Sequence, residues 1–397
     1  MNNRTIYRHR LKAARIYITA EKSFNQTNCM KNQNTTLSAM DDNGNPVDWW
    51  FIYKIAGKSV ASDGSKATGN EYVYFDSSGA QGKKLILSPN LINDATKGAV
   101  SHTLSQIYNN LDDPDLGWFF YNDEDPITDK TNSERGHTKG VLCFELETDS
   151  AFWLIHSAPK FSLKGAYGFP ETATGNAQTF LCITLKDADT AKAIAAQMYI
   201  AQQPNVYLAS AVPASMDADD PRAQLINNTV APGKTSYANF ITFESRAGQS
   251  FKCIARNKYW DAAGDDDFYN DLVGPALAES LEVETWEHDP VPGDMDDDKV
   301  HTVNAMKEVD LAPLGITPSF CWSEENDHAK LAISAGNESV KYVCVGDLNF
   351  TIAQEKRSGG TVAFVNDDLW TSIFEILSAA DTISNSPKVR IKKNKNI

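Results

Sequence analysis

The chain has 397 residues, of which 42% are hydrophobic and 22% are charged, and this composition is typical of a globular protein. The length exceeds what one small core needs and predicts two domains or two half-domains. A formal net charge of −15 argues against broad, sequence-independent adhesion to nucleic acid, so a nucleic-acid site would need local basic groups within an acidic shell. The first 25 residues contain no apolar stretch long enough for a signal peptide or a membrane helix, and no later segment predicts a membrane span.

The first part of the chain reads as a mixed α/β half. Runs of aromatic and β-branched residues indicate strands, and apolar residues that recur every three or four positions indicate helices. In chain order the predicted elements are strands 46–55 and 71–78, a helix 96–110, a strand 117–124 and a helix 187–203. A polar N-terminal segment, residues 1–44, precedes this half, which we place at residues 45–215.

The second part repeats the mixture of strands and helices. A stretch that contains Pro, Asp and Ser is interpreted as the connection between the halves, and we place it at residues 216–236. The predicted elements that follow are strands 236–245 and 250–257 and helices 265–281 and 366–381. The second half is thus placed at residues 237–385. A basic tail, residues 386–397, is expected to be a solvated terminus, with contact to phosphate as the alternative.

Two H-x-K tripeptides stand at matched places in the two halves. His137 and Lys139 lead into one apolar run, and His328 and Lys330 lead into another. Each is followed by a strand that ends near a phenylalanine, a small-residue turn, a threonine and a further strand. A single H-x-K is usually a solvated strand end, but two in matched contexts indicate an internal repeat. Because side chains alternate along a strand, His137 is predicted to share a face with Lys139.

Two histidines and two lysines are the groups that phosphodiester hydrolysis without a metal requires. One neutral imidazole can attack phosphorus and form a phosphohistidine, and a second, protonated imidazole can donate to the leaving oxygen and later activate water. Two ammonium groups can hold the non-bridging oxygens and stabilise charge that develops in the transition state. Half-domains related by a pseudo-two-fold axis would place all four groups around one phosphate. The sequence leaves open which histidine attacks.

Eight segments resemble, in order and at similar spacing, the deoxyribonuclease II family, which looks like a divergent branch of the phospholipase D superfamily. They are PVDWWFIYKI, GAVSHTLSQIY, FFYNDE, RGHTKGVL, FWLIHSAPKF, QTFLCITL, DHAK and VCVGDLN. The resemblance implies an α/β fold of two pseudo-symmetric phospholipase D-like α/β/α half-domains, each contributing one H-x-K motif. It also implies an endonuclease that cleaves double-stranded DNA without a divalent metal or another cofactor, works best at acid pH and leaves 3′-phosphate ends.

The resemblance also assigns residues to the site. The four that match the family's catalytic pairs are His137, Lys139, His328 and Lys330. His156 matches the histidine of the family's HSxP segment, where a supporting role and a satisfied core histidine are both open. Asn349 fits the G-x-x-N element of the superfamily. The corresponding position in the first half is Lys160, where the family usually has asparagine, and it is expected to add a fifth cation near the phosphate.

Some features depart from the family pattern. The aspartate of the superfamily's H-x-K-x4-D form is replaced by Phe144 and Ala335, as is usual for this branch. Animal members carry a cysteine where this chain has Ala332, so Cys344 lacks that partner. The family suggests a lysosomal or secreted protein, although no signal peptide is visible. The six cysteines lack C-x-x-C spacing, which argues against a structural zinc site.

Other readings remain open at this stage. The segment GDMDDDK, which contains Asp294, begins like a calcium loop but lacks the required glycine and glutamate, so an acidic solvated loop is favoured and no metal is expected. A related phosphodiesterase acting on RNA or lipid would share the chemistry, and a catalytically silent homologue would bind DNA without cutting it. A monomer already supplies both H-x-K motifs, so the expected state is a monomer or a homodimer.

Overall fold

Each predicted half contains one large β-sheet in the computed structural model, which describes residues 36–260, 266–286 and 301–378. The segment 1–35, the acidic stretch around Asp294 and the basic tail 386–397 lie outside the described residues. The described elements combine several sheets with a few helices, which confirms the α/β class. Among them no helix is both long enough and apolar enough to cross a membrane.

The first sheet has eight strands, and every neighbouring pair is antiparallel. Its strands are β1 Trp49–Lys54, β2 Tyr72–Asp76, β3 Ile86–Leu87, β4 Leu116–Asn122, β5 Lys139–Glu145, β6 Ser150–His156, β7 Gln178–Leu185 and β8 Val206–Ala209. They lie in the order β8-β4-β5-β6-β7-β1-β2-β3. The strand that follows the first H-x-K motif is therefore flanked by strands on both sides.

The second sheet has seven described strands. They are β9 Ala238–Glu244, β10 Ser250–Arg256, β11 Leu281–Thr285, β12 Val303–Ala305, β13 Lys330–Ser334, β14 Tyr342–Gly346 and β15 Gly359–Val365. Their order is β9-β10-β15-β14-β13-β11-β12, with a parallel pair at β11 and β12 and antiparallel pairs elsewhere. Short strands outside the two sheets are Ala39–Met40, Pro46–Val47, Val60–Ala61, Glu124–Asp125, Lys130–Thr131, Glu308–Asp310 and Phe320–Ser323.

The helices confirm three of the four predicted ones. The described α-helices are α1 Ala99–Tyr108, α2 Ala188–Gln197, α3 Pro221–Ile226, α4 Gly274–Leu277 and α5 Asp367–Ser378. The prediction of one helix over 265–281 is only partly right, because the chain forms a π-helical turn, Phe268–Val273, followed by the single turn of α4. Pro275 lacks the N–H that a longer helix would need there, and β11 begins at Leu281. The predicted connection contains α3, whose N-cap Asp220 precedes Pro221.

Strand β1 illustrates why the strands of the sheets are continuous apolar runs in the sequence. All six of its residues are buried, because both faces of the sheet are covered. Trp49 belongs to a core shared by the inner faces of both sheets, and its ring centroid lies 5.0 Å from that of Phe364 in β15. Trp50, on the opposite face, packs in a second core with Leu104 of α1. The shared inner core holds the two sheets together, and β5 and β13 bring their H-x-K motifs to the boundary between them.

Candidate active site

The backbone of each motif histidine is held by the other sheet. His137 N–H donates to the carbonyl of Ser358 at 2.8 Å, and Ser358 is the residue before β15. His328 N–H donates to the carbonyl of Ala177 at 2.9 Å, and Ala177 is the residue before β7. The arrangement is reciprocal. The residue before β15 in the second sheet holds the histidine of the first motif, and the residue before β7 in the first sheet holds the histidine of the second motif. Both motifs consequently meet where the two sheets adjoin.

The two lysines are more deeply buried in the boundary than the two histidines. Lys139 and Lys330 are each only 3% exposed, whereas His137 and His328 are partly exposed. Burial lowers the pKa of Lys330 to about 7, and repulsion from the ammonium group of Lys139 adds to the effect. The charge of Lys330 also reaches His137. The structure thus brings His137, Lys139 and Lys330 within electrostatic range of one another, and Lys330 contacts the backbone of His328; both lysines are buried and both histidines are partly exposed.

The first lysine is neutralised by a buried carboxylate. Lys139 Nζ forms an ion pair with Asp123, which is 1% exposed, and lies 3.7 Å from Glu124 Oε1. Arg357 Nη2 donates to the other oxygen of Asp123 at 2.8 Å. Burial opposes ionisation of Asp123, but the charges of Lys139, His137 and Arg357 outweigh it and hold the carboxyl pKa well below its usual range. Asp123 therefore stays charged and fixes Lys139 in place.

The second lysine is held by carbonyl groups instead. Lys330 Nζ donates to the carbonyls of His328 at 2.6 Å and Ala329 at 3.3 Å. Among the described residues, no carboxylate lies within ion-pair distance of this nitrogen. Asp327, fully buried one residue before the histidine, accepts hydrogen bonds from Tyr53 and from Trp322 Nε1. Its other oxygen accepts from Ala329 N–H at 2.7 Å, which fixes the backbone of the motif.

The environment of His137 favours a neutral ring with a free lone pair. Its Nδ1 lies 2.7 Å from the backbone carbonyl of Asp347. Because a carbonyl only accepts hydrogen bonds, Nδ1 carries the proton, and Nε2 keeps its lone pair. Burial and the positive charges of Lys139, Lys330 and Arg357 lower the pKa of His137 to about 3, against the opposing charge of Asp123. The imidazole is thus neutral under mildly acid conditions.

The ring of His328 has a different setting. Its Nε2 lies 3.3 Å from Asn176 Nδ2. The ring centroid lies 4.8 Å from that of Trp286, whose side chain is also partly exposed. Trp286 directly follows β11, as Asp123 directly follows β4. His137 consequently lies near the charged Asp123, whereas His328 lies beside the aromatic ring of Trp286.

The three predicted supporting residues are placed differently from one another. His156 is 1% exposed between the rings of Phe161 and Phe180, and neither ring nitrogen has a hydrogen-bond partner among the described residues. Burial and the charge of Lys139 lower its pKa well below the usual value, so it is a neutral core residue near the site. Asn349 is buried with its Oδ1 unpartnered in the described part of the chain. Lys160 is one-third exposed, pairs with Asp129 at 2.5 Å and also interacts with the charge of Glu124, the carboxylate that lies 3.7 Å from Lys139 Nζ.

Sequence reasoning missed three residues that shape the site, Asp123, Arg357 and Asp347. The carboxylate of Asp347 accepts from Gln202 Nε2 at 2.9 Å and from Gly360 N–H at 3.0 Å. These bonds fix the carbonyl that orients His137, while burial raises the carboxyl pKa to about 7. A charged residue at the end of an apolar strand was the available signal for Asp123 and Asp347. Arg357 carries no such signal, because its partner is 234 residues away in the chain.

Two buried cations fix the loops that lead into β7 and β15. Lys54, at the end of β1, donates to the carbonyls of Gly69 at 2.9 Å and Thr174 at 3.1 Å. Arg256, at the end of β10, donates to the carbonyls of Gln354 at 3.1 Å and Glu355 at 2.6 Å. Each loop contains the strand entry that holds a motif histidine. These cations consequently stabilise the site indirectly, through the loops that hold the two histidines.

Gly136 offers a test of this close packing beside His137. A Cβ at this position would lie 1.8 Å from the carbonyl oxygen of Gln202, so the backbone would have to move. We expect Gly136→Ala to lower the free energy of unfolding by about 1–3 kcal/mol and to reduce phosphodiester cleavage about 10²-fold through displacement of the histidine. Chemical denaturation and a cleavage assay measure the two effects.

The matched control is Gly175→Ala. Nothing lies within 4 Å of a Cβ at Gly175, which is close to the strand entry that holds the other histidine. This variant should retain both stability and activity. Equal behaviour of the two variants would contradict the close packing described at Gly136.

No group of three or more His, Cys, Asp or Glu side chains in the described residues is arranged to hold a metal ion. The calcium-like segment around Asp294 lies outside the described part of the chain. Groups described near the two imidazoles include the ammonium groups of the two lysines, the guanidinium of Arg357, the amide of Asn176 and the carboxylate of Asp123. This is a setting suited to an anionic ligand such as a phosphate.

Comparison with known proteins agrees with this setting. Residues 38–383 match the family model described as Deoxyribonuclease II. A relative from Burkholderia pseudomallei (strain K96243) that carries a deoxyribonuclease-2 name is 41% identical over 358 residues, which cover 89% of this chain and 94% of the relative. Deoxyribonuclease-2 of Caenorhabditis elegans is 31% identical over 84% of this chain and 91% of its own length. Deoxyribonuclease-2-beta of Homo sapiens is 29% identical over 83% and 87%. The chain belongs to the deoxyribonuclease II family of nucleases.

Proposed function

We propose that this nuclease hydrolyses double-stranded DNA without a divalent metal, works best at acid pH and leaves 3′-phosphate ends. The observation that carries the proposal is that two buried ammonium groups from separate H-x-K motifs lie within electrostatic range of each other and of His137, next to the backbone of the partly exposed His328. Four such groups supply a nucleophile, an acid and two anion-binding cations without other help. The substrate class agrees with the names of the relatives.

The two halves are proposed to be pseudo-symmetric and phospholipase D-like, at residues 45–215 and 237–385. Support comes from the strand orders, since β4-β5-β6-β7-β1 in the first sheet corresponds to β11-β13-β14-β15-β10 in the second. All four neighbouring pairs in each series are antiparallel. The reciprocal hydrogen bonds of the two histidines follow the same correspondence.

His137 is proposed as the nucleophile. The Asp347 carbonyl fixes its tautomer, so the Nε2 lone pair can attack phosphorus and form a phosphorus–nitrogen bond. As the bond to the 5′ oxygen breaks, protonated His328 gives its proton to that oxygen. Neutral His328 then takes a proton from water, which attacks the phosphohistidine and releases the 3′-phosphate end. His137 and His328 return to their starting states.

Lys139 and Lys330 are proposed to bind the non-bridging oxygens of the reacting phosphate. Because both ammonium groups are buried, their attraction to an anion is screened less than it would be at the surface. His156 is proposed to support the site from the core beside Lys139, and Asn349 to donate from its buried position. Lys160, which pairs with Asp129, is proposed to contact phosphate farther along the DNA.

Plasmid cleavage in EDTA, scanned from pH 4 to pH 8, tests the proposal directly. The expected result is cutting at acid pH that EDTA leaves unchanged, with phosphate at the 3′ ends in end-group analysis. Acid-labile label retained on the protein after brief reaction with radiolabelled DNA should map to His137. A requirement for added metal, or 5′-phosphate ends, would contradict the mechanism.

RNA and lipid phosphodiesters offered in parallel cover the alternative substrates, and binding of duplex without cutting at any pH would support the silent homologue. A monomer supplies both motifs, so the proposed oligomeric state is a monomer or a homodimer.

A further inference from the structure

Arg357 is a partly exposed cation at the edge of the four central groups. It lies one residue before Ser358, whose carbonyl holds His137, and its side chain is 16% exposed. Its Nη2 donates to Asp123 at 2.8 Å and to the carbonyl of Arg135 at 3.2 Å. These contacts place the guanidinium beside the first H-x-K motif, although Arg357 itself belongs to the second half.

The guanidinium retains donors that the protein does not use. Nη2 is its one nitrogen with a hydrogen bond to any described residue, and Nε is buried without a partner among those residues. Asp123 is already paired with Lys139, so the carboxylate does not depend on Arg357 for neutralisation. Nη2 uses both of its hydrogens on Asp123 and the carbonyl of Arg135, and Nε is buried. Nη1 therefore keeps the free donors of the partly exposed guanidinium, and a charged donor of this kind is suited to a phosphate oxygen.

The position of Asp123 indicates which phosphate Arg357 would meet. The carboxylate lies between Lys139 and Arg357 and contacts both. The guanidinium is therefore separated by the width of a carboxylate from Lys139, which is proposed to bind the reacting phosphate, and it is more exposed than that lysine. Consecutive phosphates follow one another along a DNA strand, so a cation at this displacement faces the neighbour of the reacting group.

We propose that Arg357 binds the DNA phosphate next to the one that is cleaved, and this rests on the proposed nuclease function. This contact would give the nuclease a preference for a polymeric substrate over a substrate with a single phosphodiester. Contacts of this kind position the strand and are independent of base sequence.

The first test is binding of a short labelled duplex at pH 5 in EDTA, by fluorescence anisotropy, in the His137→Ala background so that the duplex stays intact. Arg357→Gln should raise the Kd about tenfold, the loss expected for one charge-assisted contact. It should also reduce the slope of log Kd against log salt by about 0.9. Lys356→Gln, which removes the same charge from the exposed neighbouring residue, is the matched control and should change both quantities little.

The second test uses two substrates with the otherwise unaltered protein. Arg357→Gln should raise the KM for plasmid DNA about tenfold more than it changes the kcat/KM for bis(para-nitrophenyl) phosphate, which has one phosphate, because any effect through Asp123 and His137 is common to both substrates. Arg357→Lys should recover part of the loss, because it keeps the charge without the planar fork. A merely structural role through Asp123 would instead lower kcat for both substrates.

Unchanged duplex binding in Arg357→Gln, or equal losses on both substrates, would overturn the inference. If the unaltered protein bound duplex but cleaved neither substrate, the proposed function would fail while the binding comparison still decided the role of Arg357. Absence of duplex binding by the unaltered protein would overturn both.

Discussion

Replacing either His137 or His328 by alanine is expected to lower DNA cleavage by at least about 10³-fold. His137→Ala removes the group proposed to form the bond to phosphorus, and His328→Ala removes the proposed proton donor. Both side chains are partly exposed, so at pH 7, where His137 is neutral in the folded and in the unfolded chain, the free energy of unfolding should change little. Plasmid relaxation at pH 5 in EDTA measures the cleavage, and thermal unfolding monitors the fold.

His102→Ala is the control for these two variants. His102 lies on α1 and is also partly exposed, but it makes no contact with the site. Its removal should leave cleavage unchanged. Cleavage that survived both His137→Ala and His328→Ala would exclude the paired-histidine mechanism.

The pH profile of kcat/KM should have an acid limb near pH 3 and should fall above about pH 7. The pKa of His137 is about 3, so its imidazole stays neutral and nucleophilic at pH 4 to 5, where an ordinary histidine would be largely protonated. The pKa of Lys330 is about 7, so its ammonium group is charged below that pH and loses its proton above it. Beyond each limb the rate should change roughly tenfold per pH unit.

Initial rates from pH 2.5 to pH 8.5 in EDTA, at substrate concentrations below KM, measure this profile. An acid limb near pH 6.5 would show that the nucleophile has an ordinary pKa and would contradict the proposed environment of His137. The two apparent values belong to the coupled groups of the site together.

The lowered pKa of His137 also affects the free energy of unfolding. Between about pH 3 and pH 6.5 the unfolded chain binds a proton at His137 that the folded protein does not. This difference in proton binding therefore leaves the free energy of unfolding unchanged above pH 6.5 and lowers it progressively as the pH falls from 6.5 to 3. Denaturant unfolding at pH 6.5 and pH 4 should show the difference, and His137→Ala should reduce it.

The sequence was sufficient to predict the pairing of the motifs because that information is local and repeated. His137, Lys139, His328 and Lys330 form a repeat in the sequence, and the structure brings the two motifs into contact at the boundary between the sheets. Helices α1, α2 and α5 were predicted because their apolar spacing extends over ten residues or more. The segment 265–281 was harder to predict, because Pro275 lies in the first turn of α4 and cannot donate the N–H bond that one continuous helix would need there.

The remaining parts of the site depend on contacts between distant residues. Asp123 and Arg357 are 234 residues apart, and no spacing rule connects them. The prediction that Lys160 adds a cation near the phosphate stays a prediction, and the ion pair of Lys160 with Asp129 could not be predicted from the correspondence with an asparagine. The carbonyls that orient the histidines belong to the backbone, so no residue type marks them in the sequence.

The exchange of backbone hydrogen bonds between the halves also links activity to folding. A half that has folded before its partner docks lacks the carbonyl that holds its own histidine, since Ser358 and Ala177 each serve the opposite motif. Assembly of the site and docking of the halves are therefore one event. A partly folded chain would contain all of the proposed catalytic side chains and yet lack the proposed nuclease activity.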